Sequence, residues 1–159
     1  MKTELPDNAG VIAPPPLIYA VTFAAGILLH RKFPGRSVLS LPPKLRFVLA
    51  GSLIGFALAI STQAFLTMRR AHTNIDPRQP TTTIVVEGPY RFTRNPIYLS
   101  LTLLYSGLTV LFNVLSGLLL LPIALIILRR GVIEREERYL ERKFGEQYLS
   151  YKQRVRRWL

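Results

Sequence analysis

Two arginines, an asparagine and two tyrosines are packed into "GPYRFTRNPIYLS", Gly88 to Ser100, directly against one of the longest apolar runs in the chain. The same run ends at a second polar cluster, "RRGVIEREERYLERKFGEQY", which begins at Arg129. The chemistry on offer is complementary. Arginine presents a planar fork of donors suited to a carboxylate or phosphate, and paired glutamates suit a cation. Asparagine and tyrosine hydrogen-bond without carrying charge. Each residue alone has an ordinary explanation: arginines snorkel at a bilayer boundary, and pairs such as Glu134 with Arg138 decorate a helix surface. Charged groups at that depth are costly unless they reach water or pair. A Pro-anchored Arg-Asn-Pro and a Glu-Glu pair meeting on one face would instead form a site for something both cationic and anionic.

The charge map says what must position them. The chain has 159 residues, enough for a single domain over 1–159, and is 49% hydrophobic with a net charge of +12. No charged residue occurs from Asn8 to Leu29, from Phe47 to Met68, or from Pro96 to Leu128. Soluble amphipathic helices keep a polar face, and these runs have none. The expected fold is therefore an all-α, polytopic membrane protein with about four transmembrane helices; a soluble bundle of buried helices is the competing reading. The first span, Pro16 to His30, covers roughly 21 Å, short of the ~30 Å hydrocarbon core, unless Val11 to Ala13 add to it in extended form. Pro34-Gly35 and Pro42-Pro43 mark a turn. The second span, Leu45 to Met68, holds Gly51-x-x-x-Gly55, a face on which another helix can pack closely. A polar loop follows, closed by "TIVVEG" as a brief extended piece.

Pro96 to Leu128 would reach ~50 Å as one helix, too long for a bilayer. A hairpin turning at Asn113 and Ser116-Gly117 fits better, and it returns the two polar clusters to the same side. The tail then carries a helical stripe at Ile133, Leu140, Phe144, Tyr148, Tyr151, Val155 and Trp158, with Gly145 dividing it into two helices. Such an amphipathic tail can lie on the membrane or cover a site beside the spans. With four spans, sixteen Lys/Arg fall on the side of the tail and five on the other, which makes the tail side cytoplasmic. The five are a conflict that a re-entrant first helix would remove. The basic balance thus points to anionic headgroups and not to nucleic acid, since no aromatic-basic module of that kind is present. The absence of cysteine excludes disulfides and Cys-ligated metal, and no metal site is expected. Lys2, Glu4, Asp7 and the triple proline argue against a cleavable signal.

"GPYRFTRNPIYLS", followed by "EREERYLERKFGEQYLSYKQRVRRWL", resembles the integral-membrane methyltransferases related to isoprenylcysteine carboxyl methyltransferase and phospholipid N-methyltransferase. The resemblance covers about 45–159. It implies S-adenosylmethionine as methyl donor, and no G-x-G-x-x-G offers a Rossmann-type alternative. By resemblance, Arg94, Asn95, Pro96 and Tyr98 hold the positions of the family's Arg-His-Pro-x-Tyr, and Glu136 and Glu137 those of its glutamate pair. Asn95 replaces the commoner histidine and cannot titrate. Glu136 or Glu137 would then meet the cofactor's ammonium, and Arg94 or the Asn95 amide its carboxylate. Tyr98 would line the wall, and Gly88-Pro89-Tyr90 would form the turn closing over it. For a carboxylate acceptor, Arg130, one turn before Glu134, would hold it. For an amine, a nearby Tyr or Glu, with Glu134 the candidate, would take the proton. The acceptor would be lipophilic, a prenylated species or a membrane lipid, and the active site cytoplasmic. A non-enzymatic scaffold or lipid-binding protein with the same fold is the alternative. Oligomeric state is not legible.

Overall fold

The computed structural model describes residues 7–33 and 40–159. The Pro34-Gly35 turn, Lys2, Glu4 and Arg36 lie outside the described residues. Six α-helices follow in order: α1 Pro15–Lys32, α2 Pro43–Arg70, α3 Pro96–Leu111, α4 Leu115–Leu128, α5 Glu134–Phe144 and α6 Glu146–Arg154. A 3₁₀ turn, Gly88–Arg91, precedes α3, and a π-turn, Arg129–Ile133, joins α4 to α5. No strand occurs among the described residues, so "TIVVEG" finds no ladder partner. Two helical runs, Pro43–Arg70 and Leu115–Phe144, are long and apolar enough to cross a membrane.

Prolines set the helix starts. Pro14 and Pro42 precede α1 and α2, and both helices, like α3, carry proline in their first turn, where its missing N–H costs nothing. The hairpin turns at Asn113, which adopts φ 58° between α3 and α4, the left-handed region that asparagine tolerates, whereas Ser116 and Gly117, also expected in the turn, lie inside α4.

Packing is side by side, α2 on α3 and α1 on α4. Backbones touch at Gly26 and Gly117: a Cβ on Gly26 would stand 2.9 Å from the Gly117 Cα. There Ser116 Oγ donates to the Gly26 carbonyl at 2.7 Å, and Tyr105 Oη donates to that of Gly117 at 2.7 Å. Gly51 and Gly55 do not serve this purpose. Both are exposed, with no chain atom within 4 Å of where a Cβ would be. α2 meets α3 instead through Ala50, Ala57 and Ala64, one every seven residues on the opposite side of the helix. The core joins Ile18, Tyr19, Tyr98, Tyr105, Leu128 and Ile133 across α1, α3, α4 and the π-turn.

Residues 8–14 do not lengthen α1. They fold across the site end, where Ala9 N donates to the Pro77 carbonyl at 3.3 Å and Ile12 N to that of Gly131 at 3.1 Å. The N-terminal segment, the 71–87 loop, the 3₁₀ turn and the tail therefore gather at one end, opposite the Asn113 turn.

Candidate active site

Proline at 96 starts α3 and leaves Asn95 as its cap, so Arg94 projects from non-helical backbone, and Tyr90 from the 3₁₀ turn, beside the helix mouth. Opposite them stands α4–α5. Its buried face runs Ala124, Leu128, Ile133, Glu137, at steps of four, five and four. The step of five is the π-turn, which slips the helical register by one residue. Beyond it, eight of the eleven α5 residues are charged, so α5 stands outside the apolar layer.

Tyr90, Arg94, Asn95, Pro96, Tyr98, Glu136 and Glu137 all line one cavity, together with Met68, Tyr148 and residues of the 73–85 loop. Seven of the ten residues singled out in the sequence thus come together. Gly88 does not line the cavity but shapes it. Its φ is 56°, and a Cβ would meet Thr67 Oγ1 at 2.8 Å, so the turn closes against the end of α2 only with glycine.

Arg130 and Glu134 are not brought in. Arg130 is exposed on the outer side of the π-turn and lines no cavity described here. Glu134 sits at the rim, where it accepts a hydrogen bond from Arg129 Nε at 2.8 Å rather than pairing with Arg138.

The two glutamates differ. Glu137 is buried and saturated: Arg157 donates Nε and Nη2 to its two oxygens at 2.9 and 2.7 Å, and Arg94 Nη2 stands 3.2 Å from Oε1. Glu136 has no ion-pair partner among the described residues. Its Oε2 accepts from Tyr98 Oη at 2.8 Å. Burial raises its carboxyl to about 7; the Tyr98 hydrogen bond pulls the other way, and the neighbouring Glu137 charge adds to the rise. On the opposite side, Arg94 Nε is buried with no hydrogen-bond partner among the described residues. Burial also raises the Tyr90, Tyr148 and Tyr151 hydroxyls, Tyr151 to about 12, so all three stay neutral at physiological pH. The cavity thus holds a carboxyl whose hydrogen bond comes from a neutral hydroxyl, with no cation beside it among the described residues, and an unmatched donor.

Asn95 is partly committed. One N–H of its amide donates to the Arg157 carbonyl at 2.8 Å. Arg157, unnoticed in the sequence, is thereby tied to two cavity residues, Asn95 and Glu137. Its only signal there is a position two residues from the C-terminus in a basic, aromatic tail.

The cavity is small, ≈ 100 Å³. Ile75, Pro77, Ile97 and Tyr98 also line a larger apolar groove of ≈ 520 Å³ between α2, α3 and the triple proline. Charged end groups suit the first space, hydrocarbon the second.

The phospholipid methyltransferase family model matches residues 45–147, nearly two-thirds of the chain. The chain belongs to the phospholipid methyltransferase family. That membership makes it a methyltransferase of membranes in general terms. The matched segment contains α2 from Leu45 onward, α3, α4, α5 and every cavity residue named above except Tyr148 and Tyr151; Arg157 also lies beyond it. An uncharacterized protein of Haemophilus influenzae (strain ATCC 51907 / DSM 11121 / KW20 / Rd) is similar at 47% identity over 63 residues, 40% of this chain and 100% of that protein. No solved structure matches the chain.

Proposed function

We propose that this member of the phospholipid methyltransferase family transfers a methyl group from S-adenosylmethionine to a lipophilic acceptor at the cytoplasmic face of a membrane. One observation carries the reading: among the described residues, a single cavity holds a carboxyl without a cation, Glu136, and a buried guanidinium N–H without an acceptor, Arg94 Nε. That donor set fits the ammonium and carboxylate of the cofactor's amino-acid end. A scaffold with no ligand gains nothing from leaving the Arg94 donor unmatched, since a buried unmatched polar group costs ~1–3 kcal/mol.

Glu136 is the residue for the ammonium, because both Glu137 oxygens are already occupied. Arg94 is the residue for the carboxylate, with the remaining Asn95 N–H beside it. Tyr98 orients Glu136 through its hydroxyl, and Pro96 fixes the start of α3 that carries Tyr98. When bound, the cofactor supplies an electrophilic methyl on a sulfonium. The chain's part is then to align the acceptor, exclude water and, for an amine acceptor, receive a proton. The 73–85 loop and the tail cover the cavity, and the apolar groove beside Tyr98 offers the acceptor's hydrocarbon a route from the bilayer. Whether the head group is that of a phospholipid or a prenylated carboxylate is left to experiment.

The membrane reading extends to four crossings. Supporting it, α1 lies along α4 and the four chain segments at the site end require an even number of passes. The surplus of basic residues at that end supports a cytoplasmic location for it. Cysteines introduced at Asn113 and Asp76 should label from opposite sides of the membrane; labelling from one side would end the four-span reading.

Titration of purified protein with S-adenosylhomocysteine should show saturable binding, and membranes given labelled S-adenosylmethionine should yield a labelled lipid-soluble product. A protein that binds no S-adenosylhomocysteine is not the enzyme proposed.

A further inference from the structure

The last five residues leave the helix. Val155 has extended backbone, φ −123° and ψ 130°, and the chain runs back across the collar. The Arg156 carbonyl accepts from Arg94 N at 2.9 Å, and the Arg157 carbonyl accepts from Thr93 Oγ1 at 3.0 Å and Asn95 Nδ2 at 2.8 Å. Trp158 anchors the end by packing on the core. The Arg157 side chain then forks onto Glu137, the carboxylate that Arg94 also contacts.

We infer that Arg157 is a positioning residue that keeps Arg94 available to an anionic ligand by neutralising Glu137. This rests on the proposed binding of the cofactor's amino-acid end. The side chains of Arg94 and Glu137 are 8% and 9% exposed, so their attraction is weakly screened by water. A lone carboxylate beside a lone guanidinium closes into a two-bond fork, the preferred geometry of that pair. Here the fork is taken by Arg157. Arg94 is left with one contact of 3.2 Å to Glu137, a long hydrogen bond of 3.4 Å from Nη1 to Tyr148 Oη, and a free Nε. Removing the Arg157 guanidinium leaves Glu137 unbalanced, draws Arg94 into the vacated fork and consumes the N–H that would meet a ligand carboxylate. The sharing also explains why the tail is strapped through its carbonyls to residues 93–95: both arginines are registered on one carboxylate.

The test uses two probes on the full-length protein, S-adenosylhomocysteine and 5′-methylthioadenosine, which lacks the amino and carboxylate groups. Arg157→Gln should weaken S-adenosylhomocysteine binding by about tenfold or more and leave 5′-methylthioadenosine binding unchanged. Adding Glu137→Gln should restore most of the lost affinity, because Arg94 is then released. Arg157→Lys, which keeps the charge but not the fork, should fall between and serves as the readout where Arg157→Gln does not fold. Equal losses for both probes, or a double variant weaker than the single, would make Arg157 merely structural and overturn the inference. So would an Arg157→Lys protein with wild-type affinity. A wild-type protein that binds 5′-methylthioadenosine and S-adenosylhomocysteine equally well overturns it too. One that binds neither removes the functional reading along with it.

Discussion

The two ends of the helical assembly are built on different principles. At the Asn113 end, stability comes from backbone proximity. Gly26 meets Gly117, Ser116 and Tyr105 bond to backbone carbonyls, and no charged side chain takes part. At the other end, segments around residues 10, 77, 94, 136 and 157 are tied by polar and ionic contacts, and Arg94 Nε stays without a partner. Buried unpartnered nitrogens also occur at the Asn113 end, His30 Nδ1 and Arg46 Nε, so what sets the charged end apart is that its unpartnered donor belongs to a residue lining a cavity. Separating stability from function in this way makes the two ends experimentally separable.

The largest effect is expected from Arg94→Ala. Truncating the partner of a charged ligand group in a desolvated site costs ~2–5 kcal/mol, so S-adenosylhomocysteine affinity should fall well over tenfold by calorimetry. An unchanged affinity would take Arg94 out of the site and erase the contrast between the ends.

Next comes Gly26→Val. Its side chain has no room against Gly117, and overpacking of this kind costs ~1–3 kcal/mol. The thermal midpoint should drop while the protein that remains folded binds S-adenosylhomocysteine as before. A loss of affinity at unchanged stability would show that the ends are coupled.

A pH titration sharpens the comparison at Glu136. The groups facing it are Tyr98, Tyr90, Tyr148 and Glu137, with Arg94 beyond Glu137. Its carboxyl holds the proton more tightly folded than unfolded, so ligand-free stability should fall as pH rises from the ordinary carboxylate range through about 7. A cationic ligand prefers the ionised form. Affinity for S-adenosylhomocysteine should therefore rise about tenfold from pH 6 to 8, and Glu136→Gln should flatten that rise. A slope that survives in Glu136→Gln belongs to another group.

The smallest effect is at the far turn. Asn113→Ala places an alanine at φ 58° and should cost about 1 kcal/mol in stability. Ligand affinity should not move.

Much of this was legible from residue order. Three uncharged runs, the turn at Asn113, the break at Gly145 and the inward stripe from Ile133 to Tyr151 are local or periodic features, and the structure places each as expected, while Val155 and Trp158, expected on the same helical stripe, lie beyond the end of α6 in extended chain. The collar and the glutamate pair could be brought together because a hairpin returns the chain to its starting side. Gly51 and Gly55 misled because a small-residue pair marks a possible face, and only the partner's position selects one. Arg130 lies two residues past the buried Leu128, about 200° around a helix, so its outward position was readable from spacing; the register slip of the π-turn was not.

What the sequence by itself determined is the layering: which segments are apolar enough to leave water, and which polar groups must cluster where they end. That follows from transfer free energy, a property of each residue alone. Only the tertiary structure decided which glutamate is saturated by arginine and which is held by a neutral hydroxyl. Glu136 and Glu137 are adjacent and chemically identical, and they part company because Arg157, twenty residues away from Glu137, returns to one of them. A buried charge is defined by its partners, and partners separated that far in the chain are chosen by the fold.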